Sequence, residues 1–239
     1  MLKRKMHAIK SMKRRIDKLE VNHAPDPEEA INIYFAAVDL PEDRLVLNLD
    51  LPQLAINGQL LSQQLRLIVR GPRHIVIVGD NGTGKTTLLK TIYTQLQDSS
   101  LSIAYMAQDY EEIMDAALNP LEYLEVVGQR AEEIKLRQFL GNLKFTVTEM
   151  EQPIANLSGG QKAKLALLKL VYQNPQVLLL DEPSRNLSPL SNPVIRQMLS
   201  DYQGCIIAIS HDRMFIRQLA DEVYELTANG LSRLYNWAD

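Results

Sequence analysis

The sequence predicts an α/β fold around a mostly parallel sheet, and three observations carry that prediction. Short, wholly apolar runs at 75–78, 177–180 and 205–209 alternate with amphipathic stretches, the pattern of strands buried on both faces between crossover helices. The run Gly79-Asp80-Asn81-Gly82-Thr83-Gly84-Lys85-Thr86 follows the first of these strands and fills every fixed position of the phosphate-loop pattern G-x-x-x-x-G-K-[ST]. Residues 110–172 lose the strand signal and read as helical, which marks a helical subdomain interrupting the alternation.

The elements follow in order. Leu2, Met6, Ile9, Met12, Ile16 and Leu19 recur at three- and four-residue steps with basic groups between them, predicting an amphipathic helix over residues 2–20. Asn22 to Pro27 holds two prolines in three residues, which no helix continues through. The organisation expected is therefore a basic helical segment over 1–27 and an α/β domain over 28–239. Segments 44–49 and 60–69 are read as strands, 85–97 as the helix after the phosphate loop, and 102–105 as another strand. Asn119-Pro120 is a helix start signal, and 130–140 reads as a further helix. Ser158 is expected to cap a helix to Tyr172. A helix over 192–202, a strand over 205–209, a short helix over 212–219 and a hairpin-like tail complete the chain.

The 239 residues carry a formal charge of only −3, but its distribution is uneven. Residues 1–20 hold eight Lys/Arg against two acidic groups, so the rest of the chain is acidic. The single cysteine, Cys205, lies in an apolar run; it can form no internal disulfide, and it points to strand packing in a reducing compartment. No apolar stretch approaches the ~20 residues of a membrane helix, and the expected location is cytoplasmic.

The chemistry resides in four places. In the phosphate loop, glycines allow backbone N–H groups to face phosphate oxygens, and the following helix adds its positive end. Lys85 is positioned for the β- and γ-phosphates and Thr86 for Mg²⁺, with Thr87 beside them. The apolar strand at 177–180 ends in Asp181-Glu182. Asp181 is expected on Mg²⁺ and Glu182 as the base that orients and deprotonates the attacking water. The third place is Leu157-Ser158-Gly159-Gly160-Gln161, and the fourth is Ser210-His211-Asp212 after the strand at 205–209.

Together and in this order, these runs resemble the ATPase domain of the ATP-binding cassette (ABC) superfamily. The resemblance implies a phosphate-loop NTPase of ABC type with an added antiparallel β subdomain, and ATP and Mg²⁺ as cofactors. It assigns Gln108 to Mg²⁺ and water at the end of the third strand, and His211 to the γ-phosphate as a switch histidine. It further implies that Ser158, Gly159, Gly160 and Gln161 cap the nucleotide of an opposing domain, so that two ATPase domains sandwich two ATP molecules.

Within the superfamily, Ser210-His211-Asp212-Arg213-Met214-Phe215, the continuation Gln161-Lys162-Ala163-Lys164-Leu165 and the basic segment 1–20 resemble the ABC-F group of translation-associated ATPases. This implies a second ATPase domain preceded by the end of the inter-domain linker, acting on the ribosome and tRNA through residues 1–20, with antibiotic resistance among the group's roles. Two departures stand out. Ile56 occupies the position where relatives place an adenine-stacking aromatic, which should weaken adenine recognition and admit GTP. Ser188 stands where relatives carry the aspartate that couples the two sites, which puts fast hydrolysis in doubt. The competing readings are the ATPase subunit of a membrane transporter, partnered by a permease, and a decayed fragment that meets no partner.

Overall fold

The computed structural model describes residues 37–109, 114–124, 130–185, 192–235 and 237. The predicted helix over 2–20, the boundary near Pro27 and the Ser188 position lie outside the described residues.

The described chain opens with a hairpin of two long strands, β1 (Leu45–Ile56) and β2 (Gln59–Arg70), forming an antiparallel sheet of their own. The first runs seven residues past the expected end at 49, whereas the second matches the expected 60–69 to within one residue at each end. Asn57 and Gly58 connect them with φ of 49° and 80°; positive φ at both central residues is the turn that matches strand twist. The hairpin buries Leu47, Leu49, Leu54, Leu65 and Leu67 on one face and leaves the alternate residues outward, the period of a half-buried strand.

A six-stranded sheet forms the body, with β3 (His74–Val78), β4 (Ile103–Met106), β5 (Val177–Asp181), β6 (Cys205–Ile209), β7 (Glu222–Thr227) and β8 (Gly230–Leu234). Its spatial order is β4-β5-β6-β3-β7-β8. All neighbours are parallel except β7 and β8, which form the expected antiparallel tail. The central strands β5 and β6 are buried at every position. That explains the apolar runs at 177–180 and 205–209, since a strand buried on both faces leaves no position that meets water. Cys205 is fully buried in β6, and burial pushes its thiol up to about 12.

Helix α1 (Lys85–Gln97) packs Leu88, Leu89, Ile92 and Leu96 against one face of this sheet. The helical region contributes α2 (Pro120–Tyr123), α3 (Arg130–Asn142), α4 (Val147–Glu151), a 3₁₀ turn at Ile154–Asn156 and α5 (Gly159–Tyr172). Asn119, Thr146 and Ser158 each close a capping box at the start of a helix, pairing with Glu122, Glu149 and Gln161. The last two helices are α6 (Asn192–Ser200) and α7 (Arg213–Leu219). Helix α6 stops at Ser200, short of the predicted 202; Tyr202 beyond it is buried, and its carbonyl accepts from His74 Nε2. Helix α7 begins one residue late, since the Asp212 carboxylate caps it by accepting from the amides of Met214 and Phe215. Among the described residues, no helix is long and apolar enough to cross a membrane.

Candidate functional site: a phosphate-loop cleft at the strand carboxyl ends

Four adjacent parallel strands end at the same level, and each delivers one chemical group. Strand register places Met106 beside Leu180, Asp181 beside Ile209, and Ile209 beside Ile77. The residues that follow are Gln108 after β4, Glu182 after β5, His211 after β6 and the phosphate loop after β3. Parallel strands leave their C-terminal ends on one edge, where ligands bind in such sheets. A cleft of about 340 Å³ opens there, lined by Asn81, Lys85, Thr86, Gln108, Asp181 and His211 among others.

The loop conformation depends on its glycines. Gly79, Gly82 and Gly84 have φ of 146°, 85° and 95°, a region that side chains adopt only with strain. Gly79 is also sterically obligatory, because a Cβ there would lie 2.4 Å from the Leu226 carbonyl oxygen. Gly84 is covered by Leu54 and Leu61 of the hairpin, both within 3.1 Å of such an atom. The loop is further tied by the Thr83 hydroxyl donating to the Asp80 carbonyl at 2.9 Å.

Lys85 heads α1 with its ammonium folded back across the loop, donating to the carbonyls of Gly79 and Asp80 at 2.8 Å each. Burial lowers its pKa, while Glu182, Asp181 and Asp80 act in the opposite sense. Thr86, the next residue, donates its hydroxyl to the Asp181 carboxylate. Asp181 is 2% exposed, and its Oδ2 has no hydrogen-bond partner. Burial raises its pKa, with Thr86, Lys90 and Lys85 lowering it.

Glu182 is held differently from its neighbour. Its φ of 51° places a non-glycine residue in the left-handed region, a conformation costing about 1–3 kcal/mol that accumulates at functional sites. Its amide donates to the Ile209 carbonyl at 3.0 Å, which fixes the turn leaving β5. The carboxylate meets His211, whose Nε2 lies 3.4 Å from Oε1. Burial is the main cause that raises the Glu182 pKa, opposed by His211. Adjacent acids thus face different neighbours: Asp181 the loop threonine, Glu182 the strand-end histidine.

The cleft gathers Asn81, Gly82, Gly84, Lys85, Thr86, Thr87, Gln108, Asp181, Glu182 and His211. Gly79, Asp80 and Thr83 stand behind it as the frame of the loop. The predicted group Ser158, Gly159, Gly160 and Gln161 is not in the lining; it forms the capped start of α5, where Ser158 Oγ accepts from the Gln161 amide at 3.3 Å. Ile56 lines the cleft as expected of its place in the hairpin. Leu61 and Ile209 also line it and escaped the sequence reading. The doublet Leu60-Leu61 breaks the alternation of β2, and that break was the available signal.

The family model described as ABC transporter matches residues 62–185, more than half of the chain. The chain belongs to the ABC transporter family. Among the similar family members is the probable ATP-binding protein YbiT of Escherichia coli O157:H7, 35% identical over 72% of this chain and 34% of its own length. The putative ATP-binding protein YdiF of Bacillus subtilis is 31% identical over 92% of this chain and 35% of its own length. ABC transporter F family member 3 of Arabidopsis thaliana is 37% identical over 70% of this chain and 24% of its own length. This cassette spans about a third or less of the curated relatives named here. Among solved structures, the dimeric MJ0796 ABC transporter cassette shares the fold, with a TM-score of 0.65 at 17% identity over 79% of this chain and 96% of that one. The expected ABC-type α/β architecture is the one observed.

Proposed function

We propose that this chain binds Mg·ATP in the strand-end cleft and hydrolyses it while paired with a second cassette. The observation that carries the reading is the convergence of Lys85, Thr86, Gln108, Asp181, Glu182 and His211 on one cleft. The residues suit Mg²⁺. Asp181 offers a buried unpartnered oxygen, Thr86 a hydroxyl bonded to the same carboxylate and Gln108 an amide oxygen, an all-oxygen set of the kind hard cations prefer. When bound, the ion would neutralise charge developing on the phosphates. Lys85 leaves the loop carbonyls for phosphate oxygens, and the loop amides hold the same anion. Glu182, oriented by His211, accepts a proton from the attacking water.

Pairing is supported by the position of Ser158-Gly159-Gly160-Gln161. These residues present a helix start, with its amides and positive dipole end, outside the chain's own cleft. In the reading proposed here they cap the nucleotide of the partner cassette. The dimeric state of the MJ0796 cassette fits that arrangement. The likeness to an F family member supports placing the protein in the ABC-F group, acting in the cytoplasm on ribosomes and tRNA, with antibiotic protection as one form of that activity.

The experiment is sedimentation of Glu182→Gln protein with ATP and purified ribosomes, run beside sizing chromatography. ATP-dependent pelleting that disappears on removing residues 1–20 is the expected result. An ATP-dependent dimer that stays out of the ribosome pellet would overturn the ribosome reading and favour a transporter permease as partner. A monomer peak unchanged by ATP would overturn the pairing itself.

A further inference from the structure

The Ser158 hydroxyl, proposed above to meet a partner's nucleotide, is already engaged within its own chain. Ser158 Oγ donates to Gln161 Oε1 at 3.0 Å, and the Ser158 amide donates to the same oxygen at 2.9 Å. The Gln161 amide donates back to Ser158 Oγ at 3.3 Å. A hydroxyl carries a single proton, and here Gln161 takes it. A phosphate oxygen only accepts, so the serine can donate to one only by letting go of Gln161.

The orientation of the Gln161 side chain is set from another helix. Glu149 of α4 accepts through Oε2 from the Thr146 amide and hydroxyl at 2.8 and 2.9 Å, and its own amide donates to Thr146 Oγ1 at 3.3 Å. The Gln161 side chain bonds the same carboxylate. A carboxylate is an acceptor only, so Gln161 turns its NH₂ toward Glu149 and its carbonyl oxygen toward Ser158. The capping boxes of α4 and α5 are thereby joined into one network, running Thr146, Glu149, Gln161, Ser158. Thr146 pins the carboxylate, the carboxylate pins the amide, and the amide holds the serine proton inward. Linked hydrogen bonds of this kind act together rather than singly.

We propose that Glu149 is a positioning residue that restrains cassette pairing: it keeps the Ser158 hydroxyl on Gln161, and a partner's nucleotide must break that hold to be capped. The inference rests on the pairing reading of Ser158-Gly159-Gly160-Gln161. The charge of Glu149 acts in the same direction, because it opposes a phosphate brought up to Ser158.

The test compares Glu149→Gln and Glu149→Ala, each in full-chain protein that also carries Glu182→Gln. Glutamine can keep the capping box of α4, where it serves as glutamate does, but it carries no charge and can offer Gln161 either end of its amide. Alanine removes the box as well. Dimer formation is followed by sedimentation velocity over a protein dilution series at saturating Mg·ATP, and melting temperature is recorded without nucleotide. Both variants should dimerise with a dissociation constant roughly fivefold lower than the parent, at the lower end of ordinary coupling between sites. Only Glu149→Ala should melt at a lower temperature. An unchanged dissociation constant in Glu149→Gln overturns the proposal. A higher one does so too, since the carboxylate would then support the serine instead of restraining it. A change confined to Glu149→Ala overturns it as an effect of the lost helix cap. If neither the parent nor Glu149→Gln dimerises with Mg·ATP, the pairing reading fails and the proposal with it.

Discussion

Glu182 and His211 meet twice: the imidazole Nε2 lies 3.4 Å from one carboxylate oxygen, and the His211 amide lies 3.4 Å from the other. The contact joins the ends of β5 and β6, and it opposes the effect of burial on the proposed base. Burial raises the Glu182 pKa and His211 lowers it, so removing the histidine should move it further up. His211→Ala is expected to shift the acid limb of the hydrolysis profile to higher pH, because more of the carboxylate is then protonated at a given pH. Phosphate release measured from pH 5 to 8 checks it; an unmoved limb would show that the histidine does not tune Glu182.

Glu182→Gln removes the base but retains the shape of the side chain. Hydrolysis should fall by about 10²–10⁴-fold, the ordinary contribution of a positioned base. ATP binding should persist, as Lys85 and the loop are untouched. Nucleotide retention on a desalting column separates the two effects.

Asp181 carries a functional cost in the nucleotide-free protein. Its pKa is raised on folding, so its contribution to stability is present below the unfolded carboxylate value and is lost as pH rises through the folded one. At neutral pH the buried charge therefore opposes folding. Asp181→Asn should raise the melting temperature of the nucleotide-free protein at pH 7.5 and abolish the additional stabilisation expected from the proposed binding of Mg·ATP. Paired thermal melts with and without Mg·ATP test both signs.

His74 reports on the opposite end of the sheet. It is 8% exposed, its Nε2 donates to the Tyr202 carbonyl at 3.1 Å, and its amide donates to Asp221. Burial lowers its pKa, although Asp221 acts the other way. A lowered value means stability present above the unfolded value of about 6.5 and lost as pH falls through the folded one. Melting temperature should drop on acidification below that point, and His74→Gln should flatten the drop. A parallel decline in both proteins would exclude His74 as its source.

Two loop glycines share positive φ but not surroundings. A Cβ on Gly82 meets nothing within 4 Å, whereas one on Gly79 strikes the Leu226 carbonyl. Gly82→Ala should cost only the backbone strain, about 1–2 kcal/mol. Gly79→Ala should cost more and displace the loop from β7, with nucleotide binding lost. Denaturant unfolding of the two variants ranks them.

Ile56 lines the cleft as an aliphatic residue, 47% exposed. Ile56→Tyr should tighten ATP binding, since base stacking on an aromatic ring is worth about 1–3 kcal/mol. Competition of GTP against ATP, measured in both proteins, gives the companion result. Wild type should discriminate weakly between the two bases.

Much of this protein was legible in the sequence because its signals are local. The wholly apolar runs at β3, β5 and β6 follow from burial on both faces, and the glycines of the loop from the φ values that its turns demand. The caps at Asn119 and Ser158 are written in residues adjacent to the features they form. What tertiary structure alone decided is which distant residues meet. Strand order β4-β5-β6-β3 brings Gln108, Glu182 and His211 to one edge, although as many as a hundred residues separate them. Tertiary packing also lays Leu54 and Leu61 of the hairpin over Gly84 and sets Ser158 apart from the cleft. A local pattern records the surroundings of each residue as exposed or buried, while sheet order and register determine its neighbours, and the chemistry of this site depends on those neighbours.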